Sequence, residues 1–209
     1  MQKEELKKIF LSFKKEDFLE KIDLHIHTNE SDGDFSPKEI IEYAQKNNLK
    51  YFSITDHNCI KAYENEFVIN NPNIITGIEF DCYFKGNLIH ILGYGIDINN
   101  EELKSILAKN KDEANHNFCR IFHLRNTKEV IAKIHNAGGL AILAHPCCYP
   151  ALSLNNLIKD LINIGIDGVE AYYKYGRLRK YFKFHNEKKV EQIADKYGLI
   201  KTGGTDKHK

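Results

Sequence analysis

The sequence repeatedly places histidine and acidic residues directly after short apolar runs. The first of these runs ends in His25-Ile26-His27, and later runs are followed by Thr55-Asp56-His57 and by His145-Pro146. Each run has the length and the branched or aromatic composition of a β-strand. The chain must therefore adopt a fold that brings several strand ends together. Imidazole and carboxylate groups collected at one such edge predict a site for divalent metal ions.

Helical segments alternate with most of these strands, which predicts an α/β chain with a mainly parallel sheet. Ser36-Pro37-Lys38-Glu39 has the pattern of a helix start with a capping box, Gly86-Asn87 is typical of a hairpin turn, and a helical stretch over 101–137 ends at Gly138. In a barrel of parallel strands, the groups after the strand ends share one face, where barrel enzymes carry out their chemistry. The seven predicted strands cover 21–27, 51–54, 73–83, 87–94, 140–144, 166–171 and 199–202. We place His25, His27, Asp56, His57, Glu79, His145, Asp206 and His208 at or just after strand ends, and His90 inside a strand.

Length, charge and cysteine usage limit the classes of function. The 209 residues contain no low-complexity linker and fit one domain, 1–209, with 1–20 as an N-terminal helix and 100–138 as a short helical insertion. Thirty Lys and Arg residues balance 29 Asp and Glu residues, so no overall field attracts a membrane or long duplex nucleic acid. An odd number of cysteines, without a secretory signal or a long apolar span, predicts a reduced, cytoplasmic protein.

Each candidate ligand is weak evidence when taken alone. His25 and His27 point to the same side of a strand and can grip one ion, but paired histidines in strands are more often surface residues. Asp32 precedes a glycine, and simple turn chemistry is the alternative there. Glu79 is more informative, because a carboxylate in an apolar strand is costly to bury unless it is paired or metal-bound. The order of the whole set therefore carries the argument.

The ordered motifs closely resemble those of the polymerase and histidinol phosphatase (PHP) family, from about Lys21 to His208. They are Asp-x-His-x-His-Thr followed by Ser-Asp-Gly, then Thr-Asp-His, Gly-x-Glu, Ile-His-x-Leu-Gly-Tyr, Ala-His-Pro and Gly-Thr-Asp-x-His. The resemblance implies a distorted (β/α)7 barrel, similar to a TIM barrel, with the active site at the C-terminal ends of the strands. It also implies nine metal ligands: His25, His27, Asp32, His57, Glu79, His90, His145, Asp206 and His208.

The same resemblance implies up to three divalent ions of manganese, zinc or iron. One ion would be held by His25, His27, Glu79 and Asp206. A second would share Glu79 and add His90 and His145, and a third would use Asp32, His57 and His208. We expect Asp23 and Asp56 to orient neighbouring imidazoles rather than to bind metal themselves.

The implied reaction is metal-dependent hydrolysis of small phosphomonoesters, such as nucleotides, nucleotide bisphosphates or short oligonucleotides. A hydroxide that bridges the metals would attack phosphorus. The catalytic residues would be Glu79 as the bridge, Asp206 to hold or deprotonate the water, and His208 to help the leaving oxygen. Two alternatives stay open: a histidinol-phosphate phosphatase, and a non-catalytic PHP accessory module that uses metals for stability or docks onto a polymerase.

Residues that contact the substrate are expected in two places. The basic and aromatic segment 172–185 follows a predicted strand, so it begins on the catalytic face; it includes Tyr173, Lys174 and Arg177. Such interleaving suits phosphate contacts and stacking on bases, and an amphipathic surface segment is the alternative. His123 lies in the insertion and is the other candidate. The expected partner is thus a small phosphorylated compound, including a nucleotide or an oligonucleotide end.

Overall fold

A computed structural model of the chain describes residues 2–114, 123–175, 181 and 183–209. These residues form eight strands and nine α-helices, with two short 3-10 turns at Lys61–Glu64 and Pro146–Cys148. The strands are β1 (Ile22–Ile26), β2 (Tyr51–Ile54), β3 (Gly77–Phe84), β4 (Asn87–Tyr94), β5 (Arg125–Asn126), β6 (Leu140–Leu143), β7 (Gly168–Glu170) and β8 (Ile200–Thr202). The helices are α1 (Lys3–Ser12), α2 (Asp17–Glu20), α3 (Pro37–Lys46), α4 (Glu66–Ile69), α5 (Glu101–Lys104), α6 (Lys111–Ala114), α7 (Thr127–Asn136), α8 (Leu154–Ile162) and α9 (Glu187–Tyr197).

The strands are arranged in two sheets. β1 and β2 pair in parallel, and the other six strands lie in the order β5-β3-β4-β6-β7-β8. β4 runs antiparallel to both of its neighbours, whereas the remaining pairs are parallel. Isolated bridges join Ile26 to Lys207 and His57 to Glu79, so the two sheets touch at both seams. The predicted α/β fold is confirmed, but regular pairing does not close the described strands into a barrel.

The β3–β4 hairpin is the main departure from a parallel arrangement. Its turn residues Lys85 and Gly86 have φ values of 46° and 81°, as a tight two-residue turn with positive φ requires. The predicted hairpin is therefore confirmed, with its turn one residue earlier. Glu79 is the third residue of β3, so the prediction that it lies at a strand end was wrong. It nevertheless reaches the same edge, because it is bridged to His57, which follows the end of β2.

The predicted helix over 101–137 is interrupted and forms α5, α6, β5 and α7. Asparagine side chains explain two of the boundaries. Asn100 accepts a hydrogen bond from the Leu103 amide, and Asn126 accepts one from the Glu129 amide, so each caps a new helix. Asn126 also pairs with β3 in extended conformation, which ends any helix before it. The predicted N-terminal helix over 1–20 is likewise divided, into α1 and α2.

Helix α1 covers the end of the sheets that lies away from the polar groups. Its Leu6 and Phe10 are buried in an apolar cluster with Ile22, Leu140 and Ile200, each of which begins a strand. The histidine and acidic motifs follow the opposite ends of the same strands. The N-terminal segment therefore closes the apolar end and leaves the polar end accessible. Among the helices that the structure describes, none is both long enough and apolar enough to cross a membrane.

Candidate metal centre

The structure brings all nine predicted ligands together. β1 and the loop after it supply His25, His27 and Asp32; the segments after β2, β6 and β8 supply His57, His145, Asp206 and His208; and the hairpin supplies Glu79 and His90. His90 and His208 each keep 19% of their side chains exposed, and the other seven keep 5% or less. The cluster is thus almost fully buried, and its accessible sides are at His90 and His208.

Four donor atoms form a compact group of the size that a divalent ion requires. The atoms are His25 Nε2, His27 Nε2, Glu79 Oε2 and Asp206 Oδ1, and five distances among them lie between 3.1 and 3.4 Å. A tetrahedron with edges of that length has its centre about 2.0 Å from each corner, which matches the bond lengths of zinc to imidazole and carboxylate. The chemistry and the spacing of these donors therefore fit a metal ion.

A second group uses the other oxygen of Glu79. Glu79 Oε1 lies 2.9 Å from His90 Nδ1 and 3.1 Å from His145 Nε2, and the two ring nitrogens are 3.2 Å apart. His57 Nε2 approaches from the side of Glu79 Oε2, at 3.3 Å. One carboxylate thus faces two sets of imidazoles, one through each oxygen. This is the geometry of a bridging ligand.

The third group surrounds Asp32. His208 Nε2 lies 3.2 Å from Asp32 Oδ1, and His57 Nε2 lies 3.7 Å from Asp32 Oδ2. His27 Nδ1 is 3.5 Å from Asp32 Oδ1 and adds a further donor to the predicted trio. The imidazoles of His27 and His208 stack with their centroids 4.3 Å apart. These donors are more widely spaced than those of the first two groups.

Two further carboxylates, which the sequence argument did not single out, hold the imidazoles in place. Glu170 Oε1 lies 2.9 Å from His25 Nδ1, and Asp81 Oδ1 lies 3.2 Å from both His57 Nδ1 and His90 Nε2. Such outer partners fix the tautomer and the orientation of a metal-binding imidazole. Both residues carried a detectable signal, because Asp81 is two residues from Glu79 on the same strand face and Glu170 ends a strand.

Asp23 and Asp56 have a different role from the predicted one. Asp23 accepts hydrogen bonds from the amide and hydroxyl of Thr205, and Asp56 accepts them from the amide and hydroxyl of Thr28. Both carboxylates therefore fasten the loops that carry ligands, and the prediction that they orient imidazoles was wrong. The partner of each carboxylate is a threonine next to a predicted ligand on another segment: Thr205 precedes Asp206, and Thr28 follows His27.

Two of the ligand positions have unusual backbone conformations. His145 has φ 26° and Asp206 has φ 51°, in the left-handed region that side-chain-bearing residues seldom adopt. The amide of His145 donates to Glu170 Oε2 at 2.7 Å, so the carboxylate that orients His25 also holds the backbone of His145. Strain of this kind persists where the surroundings determine it, and it concentrates at functional sites.

The charges of the cluster compensate one another. Burial alone would lower the pKa of His27, but the carboxylates of Asp206 and Glu79 outweigh burial and raise this pKa to about 10. Burial would raise the pKa of Glu79, yet the imidazoles around it, led by His57, hold the pKa well below its usual range. Protons and cations therefore compete for the same electron pairs, as is general for metal sites.

The predicted substrate-binding residues occupy different surroundings. Tyr173 is buried, and its hydroxyl donates to Asp206 Oδ2 at 2.6 Å. The side chain of Lys174 is exposed, and the Nδ1 atom of His123 is 4.0 Å from Glu113 Oε1. Arg177 lies outside the described residues. Tyr173 therefore contacts a predicted metal ligand directly.

The fold and the site together define a class, namely α/β proteins in which clustered imidazoles and carboxylates can hold several divalent ions. The sequence profile of the PHP domain matches residues 23–201, and the chain belongs to that family.

Curated relatives differ in activity and in extent. A 5'-3' exoribonuclease of Haemophilus influenzae is 29% identical over 94 residues, which cover 44% of this chain and 34% of that protein. The chain thus spans about a third of the length of that relative. A phosphoribosyl 1,2-cyclic phosphate 1,2-diphosphodiesterase of Eggerthella lenta is 20% identical over 89% of this chain and 93% of its own.

Solved structures share the fold. A protein described as an amidohydrolase from Chromobacterium violaceum, with bound sulfate and no metal, has a TM-score of 0.75 at 20% identity, and the match covers 90% of this chain and 87% of that one. A putative metal-dependent phosphoesterase from Bifidobacterium adolescentis has a TM-score of 0.69 at 21% identity, covering 91% and 88%.

Proposed function

We propose that this chain hydrolyses small phosphomonoesters, such as nucleotides, nucleotide bisphosphates or short oligonucleotide ends, at a centre of three divalent ions. The observation that carries the proposal is the position of Glu79, whose two oxygens face two separate groups of donors. A buried carboxylate between two sets of imidazoles suits adjacent cations, and adjacent cations suit phosphate esters.

We divide the predicted ligands among three proposed metal sites. We assign His25, His27, Glu79 and Asp206 to the first, Glu79, His90 and His145 to the second, and Asp32, His57 and His208 to the third. Manganese, zinc or iron ions there would supply positive charge for phosphate oxygens and would make water nucleophilic at neutral pH. Three carboxylates among nine ligands leave a net positive centre once three divalent ions are bound, which favours an anionic substrate.

The side chains of this site also perform separate steps. Asp206 lies between the first group of donors and Tyr173, so its carboxylate can hold the attacking water or take a proton from it. We assign Tyr173 as the group that positions Asp206, in addition to the predicted role in substrate contact. His208 is partly exposed, and its Nδ1 lies 3.5 Å from Asp206 Oδ1, so we propose that it helps the leaving oxygen through the third ion that its Nε2 would hold.

The remaining parts of the chain would serve the same site. We propose that residues 1–209 form one catalytic unit whose strands follow a distorted (β/α)7 barrel, with 100–138 as a short helical insertion. The C-terminal strand ends then form the catalytic face, as in other barrels. The described cysteines are free thiols, which suits the reduced cytoplasm. Lys174, Arg177 and His123 remain proposed contacts to the substrate.

The substrate class is supported by the relatives. The names of these proteins refer to RNA, to a cyclic sugar phosphate and, for a Chromobacterium violaceum relative 30% identical over 79 residues, to 3',5'-nucleoside bisphosphates. All of these compounds present a phosphate ester on a ribose. A phosphorylated ribose derivative is therefore the substrate that we propose.

Phosphate release provides the test. Protein reconstituted with manganese, zinc or iron would be incubated with 4-nitrophenyl phosphate, nucleoside mono- and bisphosphates, 5'-phosphorylated dinucleotides and histidinol phosphate. We expect metal-dependent turnover that is fastest with a ribose phosphate. Turnover restricted to histidinol phosphate would contradict the substrate class, and no turnover with any of the metals would favour the non-catalytic module.

A further inference from the structure

The metal-facing side of the β3–β4 hairpin continues past the ligands into an exposed apolar pair. Cross-strand pairing places Glu79 opposite Leu92, Asp81 opposite His90 and Tyr83 opposite Leu88. Side chains alternate along each strand, so these three pairs share one face of the hairpin. Tyr83 and Leu88 are 53% and 48% exposed.

This pair lies next to the open side of the metal centre. Two residues along a strand correspond to roughly 7 Å, so the pair is one step beyond Asp81 and His90. His90 is one of the two predicted ligands whose side chain stays 19% exposed, and it stands between Glu79 and Leu88. A phosphate ester held near Glu79 and His90 can therefore extend its leaving group over Tyr83 and Leu88.

The backbone beneath the pair is held on both sides. Tyr83 lies in a strand paired with β4 on one side and with Asn126 of β5 on the other. Its carbonyl oxygen accepts a hydrogen bond from the Thr127 hydroxyl at 2.9 Å. At the turn, Lys85 Nζ lies 2.7 Å from Asp160 Oδ2. The other face of the hairpin, with Phe80 and Cys82, is buried in the core.

We propose that Tyr83 and Leu88 form a platform that binds the planar base of a nucleotide whose phosphate occupies the metal centre. This inference rests on the proposed function and adds a specificity determinant to it. A flat aromatic ring beside an aliphatic side chain offers stacking and apolar contact to any base, whereas a sugar phosphate without a base would leave the platform uncovered. If the pair served only to stabilise the hairpin across its two strands, it would not need to lie on the hairpin face that carries Glu79 and His90.

Binding measurements on the manganese-loaded protein test the platform. Dissociation constants for adenosine 5'-monophosphate and ribose 5-phosphate would be compared by calorimetry, because the two compounds differ only in the base. We expect the nucleotide to bind about tenfold more tightly, since stacking of one base on an aromatic side chain contributes on this scale. Tyr83→Ala should bring the two constants within about twofold, and Tyr83→Phe should preserve the difference.

Controls separate this inference from the proposed function. Phe67→Ala removes an aromatic side chain of similar exposure on α4 and should leave both constants unchanged. Equal binding of the two compounds by the unmodified protein, binding of neither, or an unchanged ratio in Tyr83→Ala would overturn the platform. Absence of 4-nitrophenyl phosphate turnover by the unmodified protein would instead count against the proposed function, whatever the ratio of the two dissociation constants.

Discussion

At the scale of single residues, the site depends on Glu79, because its two carboxylate oxygens contact different histidines. Glu79 presents Oε2 to His25 and His27, and Oε1 to His90 and His145. Its isostere glutamine keeps the shape but replaces one oxygen by an NH2 group, which carries protons where a cation should bind. Any effect of this change therefore reports on bridging rather than on packing.

Glu79→Gln should reduce phosphoesterase activity by more than the roughly 10- to 100-fold that is typical for the loss of an outer partner of a ligand. The reason is that the two proposed ions would lose the negative charge that they share, at a site where Glu79 is fully buried. Phosphate release under saturating manganese gives the measurement. Glu42→Gln on the exposed surface of α3 is the matched control and should not change activity. Equal activity of the two variants would show that the bridge is misplaced.

Tyr173→Phe tests whether a hydroxyl acts through Asp206. The variant keeps the ring and removes the donor that lies 2.6 Å from Asp206 Oδ2. We expect half-maximal activity to require a 10- to 100-fold higher manganese concentration, with activity largely recovered at saturation. Tyr175→Phe is the control, because its hydroxyl accepts from the Cys147 amide instead. A change in the Michaelis constant for substrate, with the metal requirement unaltered, would favour direct substrate contact.

At the scale of elements, a partly buried carboxylate ties two strands and a helix to one another. Asp167, directly before β7, accepts hydrogen bonds from the Ala141 amide of β6 at 2.8 Å and from His135 of α7 at 2.7 Å. Burial would raise the pKa of Asp167, but His135, the Ala141 amide and Lys3 together lower it from the ordinary value of 3.8. The lowered pKa means that the folded chain favours the ionised carboxylate.

Asp167→Asn should therefore lower the free energy of unfolding by about 1 kcal/mol at pH 7, since the hydrogen-bonded charge is partly exposed. A group with a lowered native pKa stabilises the fold above its unfolded pKa, and this contribution is lost as the pH falls through the native value. The difference between the two proteins should thus shrink below pH 4. Urea titrations in the presence of a chelator would measure it. Asp160→Asn, in an exposed pair with Lys85, should have little effect at any pH.

At the scale of the whole molecule, periodicity was sufficient for most of the strands, and motif order was sufficient for the set of side chains that meet. The strand ends after 26, 54, 143 and 202 were predictable because glycine, proline and polar residues follow them. His25, His57 and His145 could be predicted to lie close together because each lies at or just after one of these strand ends. These inferences use local signals, and local signals are what a single sequence contains.

The missed features depend on contacts between distant segments. The antiparallel direction of β4 against β6 and the interruption of 101–137 by β5 are set by pairing partners far along the chain. Glu170 and Asp81 were missed as imidazole partners because the histidines that they contact lie on other segments of the chain. Asp23 and Asp56 are further examples, since each bonds a threonine of another segment, Thr205 and Thr28, in place of the expected histidine.

The number of bound ions is the last prediction, and it concerns the whole molecule because the ligands span residues 25–208. We expect elemental analysis of protein purified without chelators to give two to three divalent ions per chain, since nine donors exceed the demand of one ion. One ion or fewer after reconstitution would contradict a three-ion centre. Chelation should also destabilise the fold, because each ion present at about 100 times its dissociation constant contributes about 2.7 kcal/mol. For a chain of this length, the loss of each ion corresponds to a melting temperature about 5–10 °C lower, and adding manganese back should restore it.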